Sequence, residues 1–459
     1  MVDFPGQEEN LPERSPMETR SNDFERGLRL MLDAIAAAQE RGEPPLTAAQ
    51  ARAELEGLAR HRGRPPFFPY LGSGLGKGAR MMAADGRWVL DLALGVGVHI
   101  FGHGNRDLIE TALRAACSDL VMQGNLIFNR EYSALMRTLL AHAPATMEHC
   151  WLSLSGADAN ENALKLVRRR REGRPGVIAF RGCFHGRTTA MAEITDRPDY
   201  RRGQPHTFPV AYVPFYDPRD QGSIDKSLKA LRAIVHRDGE QMAAFLVELV
   251  QGEAGFLAAP REFFVPLFEE CARAKIPIWI DEIQTFGRVS ELFATDMLGL
   301  ADYASVITVG KILQGSAMLF RAELAPDPGL ISGTFAGATV AMAVGRRIVE
   351  KLVGEGFFGS QGREKRLERL CFERLEQLSR RYPDALREFH GVGAMIAFKL
   401  GDGSYESTQA FLRRCFETGL ALYYGGHQPA WVRMFLPAGV ITEAELDEAF
   451  AIIERRLTD

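Results

Sequence analysis

Three short apolar runs, at residues 244–250, 276–280 and 305–309, stand out from the hydrophobic pattern, each separated from the next by a helix-length connection. Such runs lack the alternation of a half-solvated strand. They predict parallel strands buried on both faces and joined by crossover helices. Each run stops at polar residues: Gln251-Gly252-Glu253, then Asp281-Glu282, then Lys311. In an open α/β sheet the carboxyl ends of strands border the ligand crevice, so these residues are expected to converge.

The remaining pattern fills in around this centre. Helical spacing of Phe24, Leu28, Met31, Leu32 and Ile35 predicts a first helix, with Ser21 or Asn22 as its cap. Thr47 and Gln50 form a capping box for a second helix that would bury Leu55 and Leu58. Residues 1–20 are polar and are expected to be poorly ordered. The glycine-rich stretch 70–78 misses the Walker spacing and reads as a flexible loop. Residues 81–91 predict a hairpin turning at Asp85-Gly86. Helices over 106–117 and 131–142 precede a strand at 150–154. Ser155-Gly156-Ala157-Asp158 then opens a helix to residue 171. A turn of that kind is a ready anion seat, although plain capping gives the same sequence signal. After a strand at 176–180, Phe184 and His185 are either the floor of a pocket or part of an aromatic core. The C-terminal part reads as helices over 339–352, 363–381, 406–418 and 443–457, with strands at 394–400, 420–424 and 431–436.

Composition narrows the classes. The 459 residues suffice for two or more domains, and 46% hydrophobic with 25% charged residues is an ordinary globular balance. A net charge of −4 gives no reason to expect nucleic acid or an anionic membrane as partner. The six cysteines are scattered singly, which fits reduced thiols rather than a disulfide framework or a zinc site. No signal peptide or run of roughly 20 apolar residues is evident, so a cytoplasmic protein is expected.

Asp281 ends an apolar strand, where an unpaired carboxylate would be costly, and Lys311 lies between apolar residues on another. A desolvated lysine becomes a nucleophilic amine. Lysine for an aldehyde, carboxylate for a basic ring nitrogen and the Ser155–Ala157 turn for a phosphate together meet the demands of pyridoxal 5'-phosphate (PLP).

The set SGADANENALKL, FHGRT, VELVQGEAGF, IDEIQTFGR and the Lys311 motif resembles the class III, ω-amino acid type, PLP-dependent aminotransferases of fold type I. The resemblance runs from about residue 68 to the C-terminus. It implies a large α/β domain with a mostly parallel seven-stranded sheet between helices, plus a smaller α+β domain. The corresponding division is 1–60 as a helical extension, 61–95 as the first segment of the small domain, 96–345 as the PLP-binding domain and 346–459 as the rest of the small domain. By the same resemblance Lys311 forms the Schiff base and moves protons, and Asp281 keeps the ring nitrogen charged. Gln284 sits by the ring hydroxyl, Ile283 and Phe184 flank the ring beside His185, and Ser155, Gly156 and Ala157 take the phosphate. Thr334 reaches the cofactor of a neighbouring subunit, which implies a homodimer. Arg433 grips an α-carboxylate, Glu253 neutralises it for substrates lacking one, and Arg187 holds a distal carboxylate. The implied reaction is ping-pong transfer from an ω-amino acid or diamine to 2-oxoglutarate. A racemase, aminomutase or decarboxylase on the same scaffold, or a non-catalytic relative, are the alternatives. The sequence departs from the family pattern at Leu249 and Ala157, in the shortened loop after Gln284 and in the Ile312–Met318 turn.

Overall fold

The computed structural model describes residues 22–42, 45–119 and 126–458. The expectations for residues 1–20 and for a Ser21 cap lie outside them. A seven-stranded sheet forms the centre, in the spatial order His149–Ser153, Ser316–Phe320, Ala304–Val309, Ile278–Asp281, Met242–Val247, Gly176–Phe180 and Val210–Val213. All adjacent pairs are parallel except the two made by Ser316–Phe320, which runs against both neighbours. The three apolar runs are thus adjacent strands, fully buried along Met242–Val247 and Ile278–Asp281. Helix Arg261–Arg273 crosses between the first two; the connection between the next two holds only the short helix Ala294–Met297 and a 3-10 turn. The first run ends sooner than its hydrophobicity predicts: the strand stops at Val247, and Val250–Gln251 pairs separately with Leu257–Ala258.

The reversed strand has a structural consequence. It enters the sheet at the edge where its parallel neighbours leave, so Ser316 shares that edge with Asp281 and with the Lys311 turn. The turn is tight: Lys311 and Gln314 both have positive φ, 49° and 53°, in a region that bulky residues occupy only when their surroundings hold them there. Helix Thr339–Gly354 supports it from behind. A Cβ on Gly345 would lie 2.6 Å from the Leu313 carbonyl oxygen, so only glycine lets the helix approach so closely.

Two smaller sheets complete the fold. Leu386–Val392, Met395–Leu400, Ala430–Phe435 and Tyr423–Gly426 form an antiparallel sheet in that order. Gly72–Lys77, Arg80–Ala83 and Trp88–Asp91 form an antiparallel meander, to which Leu420–Ala421 adds in parallel. The glycine-rich stretch is therefore a strand, not a flexible loop. A register shift between Gly72 and Gly76 takes up its irregularity, and a Cβ on Gly76 would collide with His103. The predicted strand 420–424 is broken into two that serve different sheets. The capping box at Thr47 and Gln50 is present, but Leu58 is 41% exposed and Ala51 is the buried residue of helix Ala48–Arg62. In helix Asn22–Arg41 Leu28 and Leu32 are buried and Met31 faces out.

Candidate active site

The carboxyl edge of the large sheet borders a cavity of about 450 Å³. Ser155, Gly156, Ala157, Phe184, His185, Arg187, Asp281, Ile283, Gln284 and Lys311 all line it, so ten of the residues singled out in the sequence meet at one place. Glu253 and Arg433 adjoin it through Gln284, whose amide donates to Glu253 Oε1 at 3.1 Å. Thr334 is not brought into this cavity. It is exposed, beside the 57% exposed Phe335, at the start of a 3-10 turn.

Asp281 is 5% exposed and held by three donors: Ile283 N–H to Oδ1 at 3.0 Å, and Asn160 Nδ2 and His185 Nδ1 to Oδ2 at 2.9 and 2.8 Å. Asn160 also donates to the His185 carbonyl, and its own oxygen accepts from Thr308 at 2.8 Å. This network fixes the carboxylate on its strand end through donors rather than through a cation. Asn160 and Thr308 were not evident from the sequence. Asn160 is a buried residue of the helix that Ser155 caps, and Thr308 is the polar residue in the fully buried run 306–309, so a polar residue at a buried strand position was the signal available.

Lys311 reaches the cavity from its strained turn. Burial depresses its amine to about 8; Arg288 and Arg433 push the same way, while Glu253 and Asp281 oppose them. Below that pH the amine is an ammonium and cannot attack a carbonyl. Capture of PLP by cofactor-free protein should therefore accelerate with rising pH, about tenfold per unit on the acid side, and level off above pH 8. Stopped-flow absorbance across pH 6–10 measures this profile, and half-maximal capture near the ordinary lysine value would contradict it.

The Ser155 turn is a capped helix N-terminus that faces the cavity. Ser155 caps helix Gly156–Arg170 by accepting from Asp158 N–H, which leaves the Gly156 and Ala157 N–H groups without intrahelical carbonyls. Gly156 has to be glycine here, because a Cβ would sit 2.6 Å from Ile283 Cδ1. Two further acids shape the walls. Glu248, whose carboxyl is pushed well up by burial and then by Asp281, accepts from Phe184 N–H at 2.9 Å and Gly252 N–H at 3.0 Å, tying two walls together. Glu282 is fully buried and receives Ala294 N–H, Thr295 N–H and the hydroxyls of Thr285 and Thr295. Burial raises it to about 7 against those four donors. It thereby pins the shortened loop after Gln284.

Arg433 is fully buried. It donates to Gly252 O at 2.7 Å and Tyr424 O at 2.8 Å, and both terminal nitrogens reach Glu253 Oε1 at 3.1 Å. Burial alone would raise Glu253, but Arg433, Lys311 and Gln284 together bring it below the ordinary carboxylate value. The Glu253 carboxylate is therefore favoured in its ionised form.

Three buried polar atoms on the cavity wall have no hydrogen-bond partner among the described residues: His185 Nε2, Gln284 Oε1 and Ser316 Oγ. Orphans of this kind call for a ligand or water. A carboxylate, a pair of helix N–H groups without intrahelical carbonyls and an amine around one cavity fit a flat heteroaromatic aldehyde phosphate. Among the described residues no group of three or more His, Cys, Asp or Glu could hold a metal, and no helix is long and apolar enough to cross a membrane.

Comparison with known proteins agrees with this chemistry. The family model described as aminotransferase class-III matches residues 70–457. A 2-aminoadipate transaminase of Pseudomonas putida is 32% identical over 404 residues, covering 84% of this chain and 95% of its own. An acetylornithine aminotransferase of Archaeoglobus fulgidus is 30% identical over 386 residues, covering 82% and 93%. The fold is shared with the structure of taurine:2-oxoglutarate aminotransferase from Bifidobacterium kashiwanohense in complex with PLP and glutamate, at a TM-score of 0.79 over 90% of this chain and 98% of that one, with 19% identity. With most of its length inside the family match, the chain belongs to the class III aminotransferases and is a PLP-dependent transaminase of fold type I.

Proposed function

We propose that this transaminase moves a terminal amino group from an ω-amino acid or diamine to 2-oxoglutarate by a ping-pong route, the donor leaving as a carbonyl product before the acceptor enters. The observation that carries this reading is the buried Glu253–Arg433 pair within reach of Gln284, beside the Lys311 amine. A carboxylate already seated on the arginine lets a substrate end without an α-carboxylate enter at no cost in unpaired charge. Displacing that carboxylate frees the same guanidinium for glutamate.

In this reading Asp281 holds the ring nitrogen, with His185 and Asn160 orienting its carboxylate. Ile283 and Phe184 flank the ring, Gln284 meets its hydroxyl, and Ser155, Gly156 and Ala157 receive the phosphate. When bound, PLP supplies an aldehyde carbon that carries the amino group and a ring that withdraws the electron pair left by a departing proton. Lys311 would provide the covalent anchor and, once displaced by substrate, would take that proton and return it two atoms away, on the far side of the transferred nitrogen. Thr334 serves the cofactor of a second copy of the chain. Exposed Leu126, Ile127, Phe128, Leu154 and Phe335 are the apolar surface such a copy would cover. The assembly would be a homodimer working in the cytoplasm.

Glu253→Ala tests the switch. It strands a buried guanidinium, so kcat/KM for ω-amine donors should fall at least about tenfold, while the half-reaction with glutamate, which pairs with Arg433 itself, should hold. Single-turnover spectra with each donor make the comparison. Equal losses for both substrates would remove the switch.

A further inference from the structure

Arg187 is exposed at the cavity rim and has no carboxylate partner among the described residues. Its guanidinium nevertheless has a defined seat. It lies 4.0 Å over the ring of Tyr200 and 5.9 Å from that of Phe184, and these two rings stand perpendicular, 6.0 Å apart. Tyr200 is itself fixed. It is on the 3-10 turn Pro198–Arg201, where its N–H donates to Arg197 O at 3.0 Å and Arg201 donates to Glu193 O at 2.9 Å. Glu193 is buried and pinned by Thr207 and Phe208. An aromatic face carried on a braced turn thus stands under a cation that would otherwise sweep through solvent, and the guanidinium keeps its edge donors free for a planar oxyanion.

We propose that Tyr200 is a positioning residue that fixes Arg187 at the rim, and that the pair selects substrates carrying a second, distal carboxylate. The proposal rests on the reading of Arg187 as the distal carboxylate's partner.

The test is calorimetric binding of glutarate, a five-carbon dicarboxylate without an amino group, and of butyrate to the PLP-loaded enzyme, with glutamate half-reactions alongside. Tyr200→Ala should weaken glutarate on the order of tenfold, as expected for loss of a cation–π seat, and weaken butyrate much less. Tyr200→Phe, which keeps the ring, should stay within about twofold of wild type. The kinetic loss with glutamate should appear in KM rather than kcat. If Tyr200→Ala leaves glutarate binding intact while Arg187→Ala weakens it, Tyr200 has no positioning role and the reading of Arg187 stands. If Arg187→Ala leaves it intact, the reading of Arg187 fails and takes the proposal with it. Equal weakening by Tyr200→Ala and Tyr200→Phe would mean the hydroxyl matters rather than the ring face. Equal weakening of glutarate and butyrate would mean general damage to the pocket. Either result overturns the proposal.

Discussion

Lys311→Ala should lower kcat by at least on the order of 10⁴-fold, because one amine performs both covalent attachment and proton transfer. The variant should also lose the visible absorbance of lysine-linked PLP while still binding the cofactor weakly through the other walls. Two structural facts make the effect large. The amine's depressed proton affinity comes from burial reinforced by Arg288 and Arg433, a setting that no neighbouring lysine shares within the cavity lining. The left-handed turn that delivers it is closed by Gln314 N–H donating to Lys311 O at 3.0 Å and is backed by the helix at Gly345, so the position does not drift to let another group substitute. Absorbance spectra with single-turnover assays measure both outcomes. Retention of the lysine-linked spectrum would place the anchor elsewhere.

Asp281→Asn should cost about 10²–10³-fold in the half-reaction rate, since the side chain keeps its volume but loses the charge opposite the ring nitrogen. Asp281→Ala should be worse in a second way. It strands the Asn160 amide, the His185 imidazole and the Ile283 N–H, at ~1–3 kcal/mol for each buried donor left unmade. Differential scanning calorimetry should therefore separate the variants: asparagine near wild type in Tm, alanine clearly lower. If both lose activity equally and neither loses stability, the network is not what holds the carboxylate.

The extent to which the sequence foretold this molecule can be traced residue by residue. Asp281, Lys311 and the Ser155 turn were legible because each polar group interrupts or ends an apolar pattern that has a definite period. The stretch 72–77 was misread because glycines remove the alternating side chains by which strands are recognised, while the backbone pairs regardless. Ser316–Phe320 was not identified as a separate strand because nothing in an apolar run reports its direction. Asn160, Thr308, Glu248 and Glu282 were overlooked for a common reason. Their roles depend on partners up to 148 positions away or on backbone N–H groups, and neither is written into local spacing. Tyr200 belongs with them, since its value lies in which cation it faces.

The parallel pairing of Leu420 with Leu90 sets an order on how the chain is made. The meander Gly72–Asp91 is synthesised early, yet the edge strand it needs emerges only after 330 further positions have left the ribosome. Until then Trp88–Asp91 presents an open edge whose Val89 and Leu90 are apolar and, in the finished fold, buried. Closing so long a loop is entropically slow, and an exposed edge of that kind can pair with other chains in the meantime. Yield in a cell-free system should consequently depend on elongation rate and chaperone supply, and truncation before residue 420 should produce aggregates rather than a shorter soluble enzyme.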